Sequence, residues 1–298
     1  MRINGQCQSG FTLTEMIMVI VITGILGSMV AVFIRAPVQQ YMDAGRRADM
    51  TDIADLALRR MANDLRTAVP SSVRPTGTDT TYIEFLPTTD GGRYRAIGSG
   101  VVCASSAANA ALSFTDPDTC FEILGPAISF VAGDLIVVGS TQPGVYPYDM
   151  TGASGIMRAH NDGATGAQTT VDIISNQSLP AFAAASNQRF EVVPGDQQAV
   201  TYACLGTLGT LDANQDGQGK LVRYWNYGIS PAQSAPAAIL SGSSAVLADK
   251  ISGCSMVVDP VRGLIAHTLQ ITRASEPISL YQEIYVNNAS LIHVHNTP

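Results

Sequence analysis

The hydrophobic pattern begins with a long apolar block near the N-terminus. Residues 11–34 carry no charged side chain except Glu15, and about 20 apolar residues in a helix are enough to cross the hydrocarbon core of a bilayer. The ten preceding residues hold Arg2 and polar side chains but no apolar run of their own. An ordinary secretory signal has its apolar region before the cleavage site, so this block differs from one. We predict a transmembrane helix over residues 11–35.

A second helical pattern follows the apolar block. Between residues 36 and 69, apolar side chains recur at spacings of three to five, which is typical of an amphipathic helix. Pro70 is expected to end this helix, because proline disfavours the α conformation of the residue before it. Pro37 has no amide hydrogen, so we expect a kink or local melting between Phe33 and Pro37.

Beyond residue 70 the pattern changes to short segments rich in β-branched and aromatic residues, bounded by Gly, Pro, Asn and Asp. These predicted strands are not interleaved with helical patterns, which favours an antiparallel sheet and an α+β fold. Residues 70–298 are expected to form one β-rich head, and residues 140–188, rich in small and polar side chains, a flexible surface excursion. The predicted strands are 81–86, 93–97, 120–124, 134–138, 189–193, 199–204, 221–229, 264–272 and 278–286.

Charge and cysteine content indicate where the head lies. Arg2 is on the short N-terminal side of the span, and a long following domain translocates largely regardless of its own charge. A net charge of −7 gives no basic field for phosphate, so no nucleic acid partner is expected.

Four cysteines, an even number, follow the span, and disulfides persist outside the cytoplasm. We predict the short-range pairs Cys103 with Cys120 and Cys204 with Cys254, with free buried thiols as the alternative.

Glu15 is a carboxylate inside the predicted span. A charge at the bilayer centre costs about 2.5 to 3.5 kcal/mol on insertion scales, so it needs a partner. If the chain is cut between Gly10 and Phe11, the new α-amino group of one subunit can neutralise Glu15 of the next. The order Gly10, Phe11 and Glu15 before an apolar run resembles the signal of type IV pilins and of type II secretion pseudopilins.

This resemblance implies a pilin-like fold, a long N-terminal helix packed on the head. It also implies that a prepilin peptidase removes the leader, residues 1–10, and that Phe11 is then N-methylated. Other pilins would be partners through helix packing, together with the inner-membrane assembly machinery. The chain is then expected in a bacterial inner membrane as a single-pass protein with a periplasmic head, and later in a filament at the cell surface.

Several later segments resemble the O-type minor pilin-like protein of mannose-sensitive haemagglutinin (MSHA) pilus systems. The resemblance implies a low-copy subunit that assembles into, primes or caps a pilus. The alternatives are a J-type minor pseudopilin of type II secretion and a membrane-anchored ligand-binding protein of adhesin type. The segments are 33–38, 41–43, 57–66, 70–74, 186–193, 200–204 and 221–225.

Other chemistry is limited to one loop. Asp212, Asn214 and Asp216 alternate before Gly217, as in the first half of a calcium-binding loop. The twelfth position is Arg223 where that loop has a bidentate Glu, so a hydrogen-bonded turn between strands is the alternative. The sequence contains no G-x-S-x-G motif, and we expect no enzymatic activity.

Overall fold

The structure is a computed structural model, and it divides the chain into two compact units, residues 1–50 and 51–298. It describes residues 10–76, 79–98, 100, 103, 111–140, 147–150, 155–161, 163–185, 187–232, 236–259 and 262–286. The positions of Arg2 and Cys7 lie outside these described residues.

Helix α1, Leu13–Arg66, contributes residues 13–50 to the first unit and 51–66 to the second. The helix continues through Pro37 without interruption, so the expected local melting is wrong. It ends at Arg66 rather than at residue 69, because the chain at Ala68 already forms a β-bridge with Pro87. Between Leu13 and Met42 its large apolar side chains, including Val38 and Tyr41, are exposed, whereas Met50 is buried.

Fifteen strands occur in the described part of the second unit, and all their pairings are antiparallel. A short 3₁₀ turn, Ala181–Ala185, precedes β10, and a one-turn helix α2, Pro236–Ile239, precedes β13. The α+β prediction is therefore confirmed. The strands are β1 Arg74–Thr76, β2 Asp79–Phe85, β3 Asp90–Arg93, β4 Cys120–Glu122, β5 Ile128–Phe130, β6 Leu135–Val138, β7 Met157–His160, β8 Gly166–Gln168, β9 Thr170–Ile174, β10 Arg189–Val193, β11 Val200–Leu205, β12 Gly219–Trp225, β13 Ser243–Asp259, β14 Leu264–Arg273 and β15 Glu276–Tyr285.

The larger sheet has the described order β1-β2-β11-β12-β13-β14-β15. Strand β13 also contacts β2, so the sheet curls. The last turns of α1 pack on its inner face, where Leu58 and Met61 meet Met256 and Leu269. The helix stripe that is buried here consists of Ala54, Ala57, Leu58, Met61, Ala62 and Leu65, at the 3–4 spacing expected for one helix face.

Asp64 anchors this helix to the larger sheet through charge. Its carboxylate accepts hydrogen bonds from Arg223 Nε on β12 at 2.9 Å and from the Tyr202 hydroxyl on β11 at 2.8 Å. Arg60, one turn earlier, lies 3.2 Å from the other Asp64 oxygen. Burial, and then the charge of Asp64, raise the pKa of Tyr202, so its hydroxyl stays protonated and donates.

The smaller sheet has the described order β3-β10-β6-β7-β9-β4 and closes on itself. Its end strands meet where the Leu124 amide donates to the Arg93 carbonyl at 2.7 Å and the Arg95 amide to the Glu122 carbonyl at 3.1 Å. Alternate residues of β6 and β10 face two cores. The interior holds aromatic side chains such as Tyr94, Phe121 and Phe190. The outer face packs with Val69 and Leu86, which follow the helix and β2 in the chain.

Part of the segment at residues 140–188, which is predicted to be a flexible surface excursion, is built into the fold, whereas its flexibility stays a prediction. Strands β7 and β9 lie in this range and belong to the closed sheet, with Met157, Val171 and Ile173 buried. Composition does not reveal these strands, because the few β-branched and apolar side chains that make the core contacts stand among many small residues. The segment predicted at 93–97 is also misplaced, since β3 is Asp90–Arg93.

The cysteine pairs are those predicted from the sequence. Cys103 and Cys120 form one disulfide, and their Cα atoms lie 6.1 Å apart. Cys204 on β11 and Cys254 on β13 form the other, with a Cα separation of 6.4 Å. The second disulfide links two strands of the larger sheet that are separated in its order by β12.

Candidate processing and assembly segment

The start of α1 has a defined cap. Thr12 precedes the first helical residue, Leu13, and its carbonyl accepts the amides of Glu15 at 3.1 Å and Met16 at 3.2 Å. The Thr12 hydroxyl oxygen also accepts the Glu15 amide at 3.4 Å. Threonine followed three residues later by glutamate is the capping-box pattern, which satisfies amides that the first helical turn leaves free.

Glu15 is therefore in the first turn of the helix, and its side chain is exposed. A carboxylate at this position interacts favourably with the partial positive charge of the helix N-terminus, typically by about 0.3 to 1 kcal/mol. This local term offsets only part of the cost of placing the charge at membrane depth. Gly10 and Phe11 precede the cap outside the helix, so the predicted cleavage point is in irregular, exposed backbone.

Two polar side chains further along the apolar block bond to the helix itself. The Thr23 hydroxyl donates to the Val19 carbonyl at 2.7 Å, and the Ser28 hydroxyl donates to the Ile25 carbonyl at 2.7 Å. Side chains that bond to a preceding turn leave no unpaired donor facing lipid. By length and composition α1 can cross a membrane, since its most apolar 18-residue window has a mean hydropathy of 2.7.

The loop predicted to bind calcium is organised by hydrogen bonds. The Asp212 carboxylate accepts the amides of Asn214 at 2.8 Å and Asp216 at 2.9 Å. Asp216 is paired with the Lys250 ammonium and also accepts the Ala274 amide at 2.8 Å. The hydrogen bond from Lys250 lowers the pKa of Asp216.

The Asp216 carboxylate is already occupied by hydrogen-bond donors, and a bound cation would have to displace them. Among the described residues, no group of three or more His, Cys, Asp or Glu side chains is placed to hold a metal. The arrangement favours the turn interpretation, and calcium binding stays a prediction. Calorimetric titration of the protein and of its Asp212→Ala variant tests it.

Comparison with known proteins returns the same N-terminal segment. Residues 5–31 match the family model described as the prokaryotic N-terminal methylation motif. This match supports a place in the superfamily of type IV pilins and pseudopilins. No curated protein and no solved structure matches the chain.

The structure adds Thr12 to the residues that define this segment. The sequence predicts roles for Gly10, Phe11 and Glu15 in cleavage, methylation and charge pairing, and Thr12 is not among them. Its signal was present, because Thr-x-x-Glu before an apolar run marks a helix start. The described residues bring Thr12 and Glu15 into contact, and they place the calcium candidates and the disulfides in the other compact unit.

Proposed function

We propose that this protein is a minor pilin-like subunit that assembles into, primes or caps a type IV pilus of the MSHA type. The observation that carries the proposal is the Gly10-Phe11 junction, followed by a capped helix whose first turn holds Glu15 and whose next five turns are apolar and exposed. The match to the methylation motif over residues 5–31 supports it. The MSHA assignment rests on the resemblance of the later segments.

The proposed mechanism follows from the cost of exposing the helix. Before assembly the apolar helix anchors the subunit in the inner membrane, because its transfer to water is strongly unfavourable. The subunit leaves the membrane when neighbouring helices supply another apolar surface. The Phe11 amine of one subunit then pairs with Glu15 of another, which removes two unpaired charges and sets the axial register.

Intact mass measurement tests the first step. The mature protein from membranes should begin at Phe11, with one added methyl group on its amine. A Gly10→Glu variant should keep the leader and should be missing from filaments, while Gly24→Ala, a glycine change inside the span with open space around it, should be processed normally. A wild-type protein that retains residues 1–10 would contradict the proposal and would favour a tethered ligand-binding protein.

A further inference from the structure

Two arginines face each other on the outer face of the closed sheet. Arg93 on β3 and Arg189 on β10 are direct cross-strand partners, and both residues are exposed. Side chains in such a pair point to the same face, and like charges placed directly opposite destabilise a sheet. The Arg93 guanidinium donates to Gln188 Oε1 at 3.3 Å, a neutral acceptor that cancels no charge.

This arrangement differs from that of most arginines in the head. Among the described residues, no carboxylate lies at ion-pair distance from Arg93 or Arg189. Arg158 is buried and donates to backbone carbonyls instead. The arginines that do have carboxylate partners pair as Arg74 with Glu84, Arg95 with Glu122, Arg223 with Asp64, Arg262 with Asp259 and Arg273 with Asp249.

Both arginines line an open cavity of about 400 Å³. Gly91 opposes Glu191 in the same strand pair and contributes no side chain to this cavity. A Cβ at Gly91 would lie 2.9 Å from the Phe190 carbonyl oxygen, so the backbone packing requires glycine there. The cavity is lined by Gly91, Gly92, Arg93, Leu124, Arg189, Phe190 and Glu191.

Glu191 supplies a hydrogen-bonding group two residues along the strand from Arg189. It is half-buried, and its carboxylate accepts a hydrogen bond from the Ser140 hydroxyl at 3.1 Å. Loss of hydration raises the pKa of Glu191 to about 7, against the opposing effects of Ser140 and Arg189. At neutral pH this carboxyl therefore cancels less than one of the two arginine charges.

The spacing of these groups restricts the ligand. Residues i and i+2 of a strand are about 6.6 Å apart, so the side chains of Arg189 and Glu191 leave the backbone of β10 at points separated by about that distance. An α-amino acid holds its ammonium group too close to its carboxylate for the carboxylate to contact the arginine pair while the ammonium contacts Glu191. A pyranose with a carboxylate on one side of its ring has hydroxyl groups on the other side. We propose that the cavity between β3 and β10 binds a uronic acid, with its carboxylate on Arg93 and Arg189 and its hydroxyls on Glu191.

Titration of the full chain in nonionic detergent micelles tests this site, with D-glucuronate, D-glucose and acetate as probes at pH 7. Glucuronate should bind with at least about tenfold higher affinity than glucose, which lacks the charge, and than acetate, which lacks the ring. Arg189→Gln and Arg93→Gln should each weaken glucuronate binding by about tenfold or more. Both residues are exposed, and circular dichroism checks that the variants keep the fold.

Lys220→Gln is the matched control, because Lys220 is an exposed cation on β12 of the other sheet. It should leave glucuronate binding unchanged. An undetectable affinity for glucuronate would overturn the proposal, and so would acetate binding as tight as glucuronate binding. Equal losses in Lys220→Gln and Arg189→Gln would show general attraction to positive charge and would also overturn it.

Discussion

Asp64 joins side chains from three elements of the head. Its carboxylate holds Arg223 and Tyr202, which come from neighbouring strands, against the last turn of α1. The Arg223 side chain retains only 10 % of its exposure, so loss of the carboxylate would leave a nearly buried charge. The sequence showed Asp64 only as one of many alternating charges on the helix. Its partner Arg223 is 159 residues away, and no local pattern predicts such a pair.

Replacement of Asp64 by alanine should lower the free energy of unfolding of the head by about 2 to 4 kcal/mol, because Arg223 and Tyr202 both lose their acceptor. Urea denaturation followed by tryptophan fluorescence measures this change. Asp55→Ala is the control on the same helix, since Asp55 pairs with Arg59 at an exposed i,i+4 position. It should cost less than about 0.5 kcal/mol. Similar losses in the two variants would contradict the anchoring role of Asp64.

His267 is a second residue with consequences for stability. It lies on β14, buried beneath Leu58 and Met61 of α1, and neither ring nitrogen has a hydrogen-bond partner among the described residues. Burial lowers its pKa from 6.5 to about 4. The described side chains around it are apolar or neutral, and Cys254 among them is in a disulfide.

The unfolded chain therefore binds a proton at His267 between pH 6.5 and 4 that the folded head does not bind. The contribution of His267 to stability is constant above pH 6.5 and falls as the pH decreases toward 4, by about 3 kcal/mol in total. His267→Leu should remove this dependence, so the stability difference between variant and wild type should widen over that range. Urea denaturation at several pH values measures it, and a constant difference would contradict the explanation.

At the scale of elements, the helix stripe was the most predictable feature. Ala57, Leu58, Met61 and Leu65 were expected on one face from their spacing, and all are buried. Leu56, on the other face, is 71 % exposed. The period of 3.6 determines which side chains can share a face, and the sheet then covers that face.

Leu65→Ala should destabilise the head by about 2 to 5 kcal/mol, because it removes a fully buried side chain and leaves a cavity between helix and sheet. Leu56→Ala makes the same chemical change on the exposed face and should alter stability by less than about 0.5 kcal/mol. Thermal unfolding of both variants in the full chain provides the measurement. A large effect of Leu56→Ala would show that this face is also covered.

The strands divide into those with a local signal and those without one. Strands β10, β14 and β15 were predicted within two residues at each end, because β-branched and aromatic residues alternate between clear turns. The 17-residue β13 was missed. Its sequence mixes serine, alanine and charged residues, and its pairing with β12 and β14 supplies the stability that its own composition does not. The cavity between β3 and β10 also depends on pairing between strands that are far apart in the sequence, so no local sequence pattern predicts it.

At the scale of the whole molecule, assembly should depend on Glu15 more than folding does. Glu15→Ala should reduce recovery of the subunit in sheared filaments by about tenfold or more, because a neighbouring Phe11 amine would remain unpaired in an apolar environment. Quantitative immunoblotting measures recovery, and thermal unfolding should show an unchanged head. Thr14→Ala, which removes an adjacent polar side chain but no charge, is the control. Normal recovery of Glu15→Ala would contradict the proposed contact.

Strand β15 occupies one end of the larger sheet in the described order, so its outer backbone groups face no neighbouring described strand. Such a row can template strand pairing between molecules. Pro277, which lacks an amide hydrogen, and the charged Glu276 and Glu283 lie on this strand, and both features are known to protect sheet edges from pairing. Heads that meet at high local concentration can therefore crowd against one another without merging into continuous intermolecular sheets.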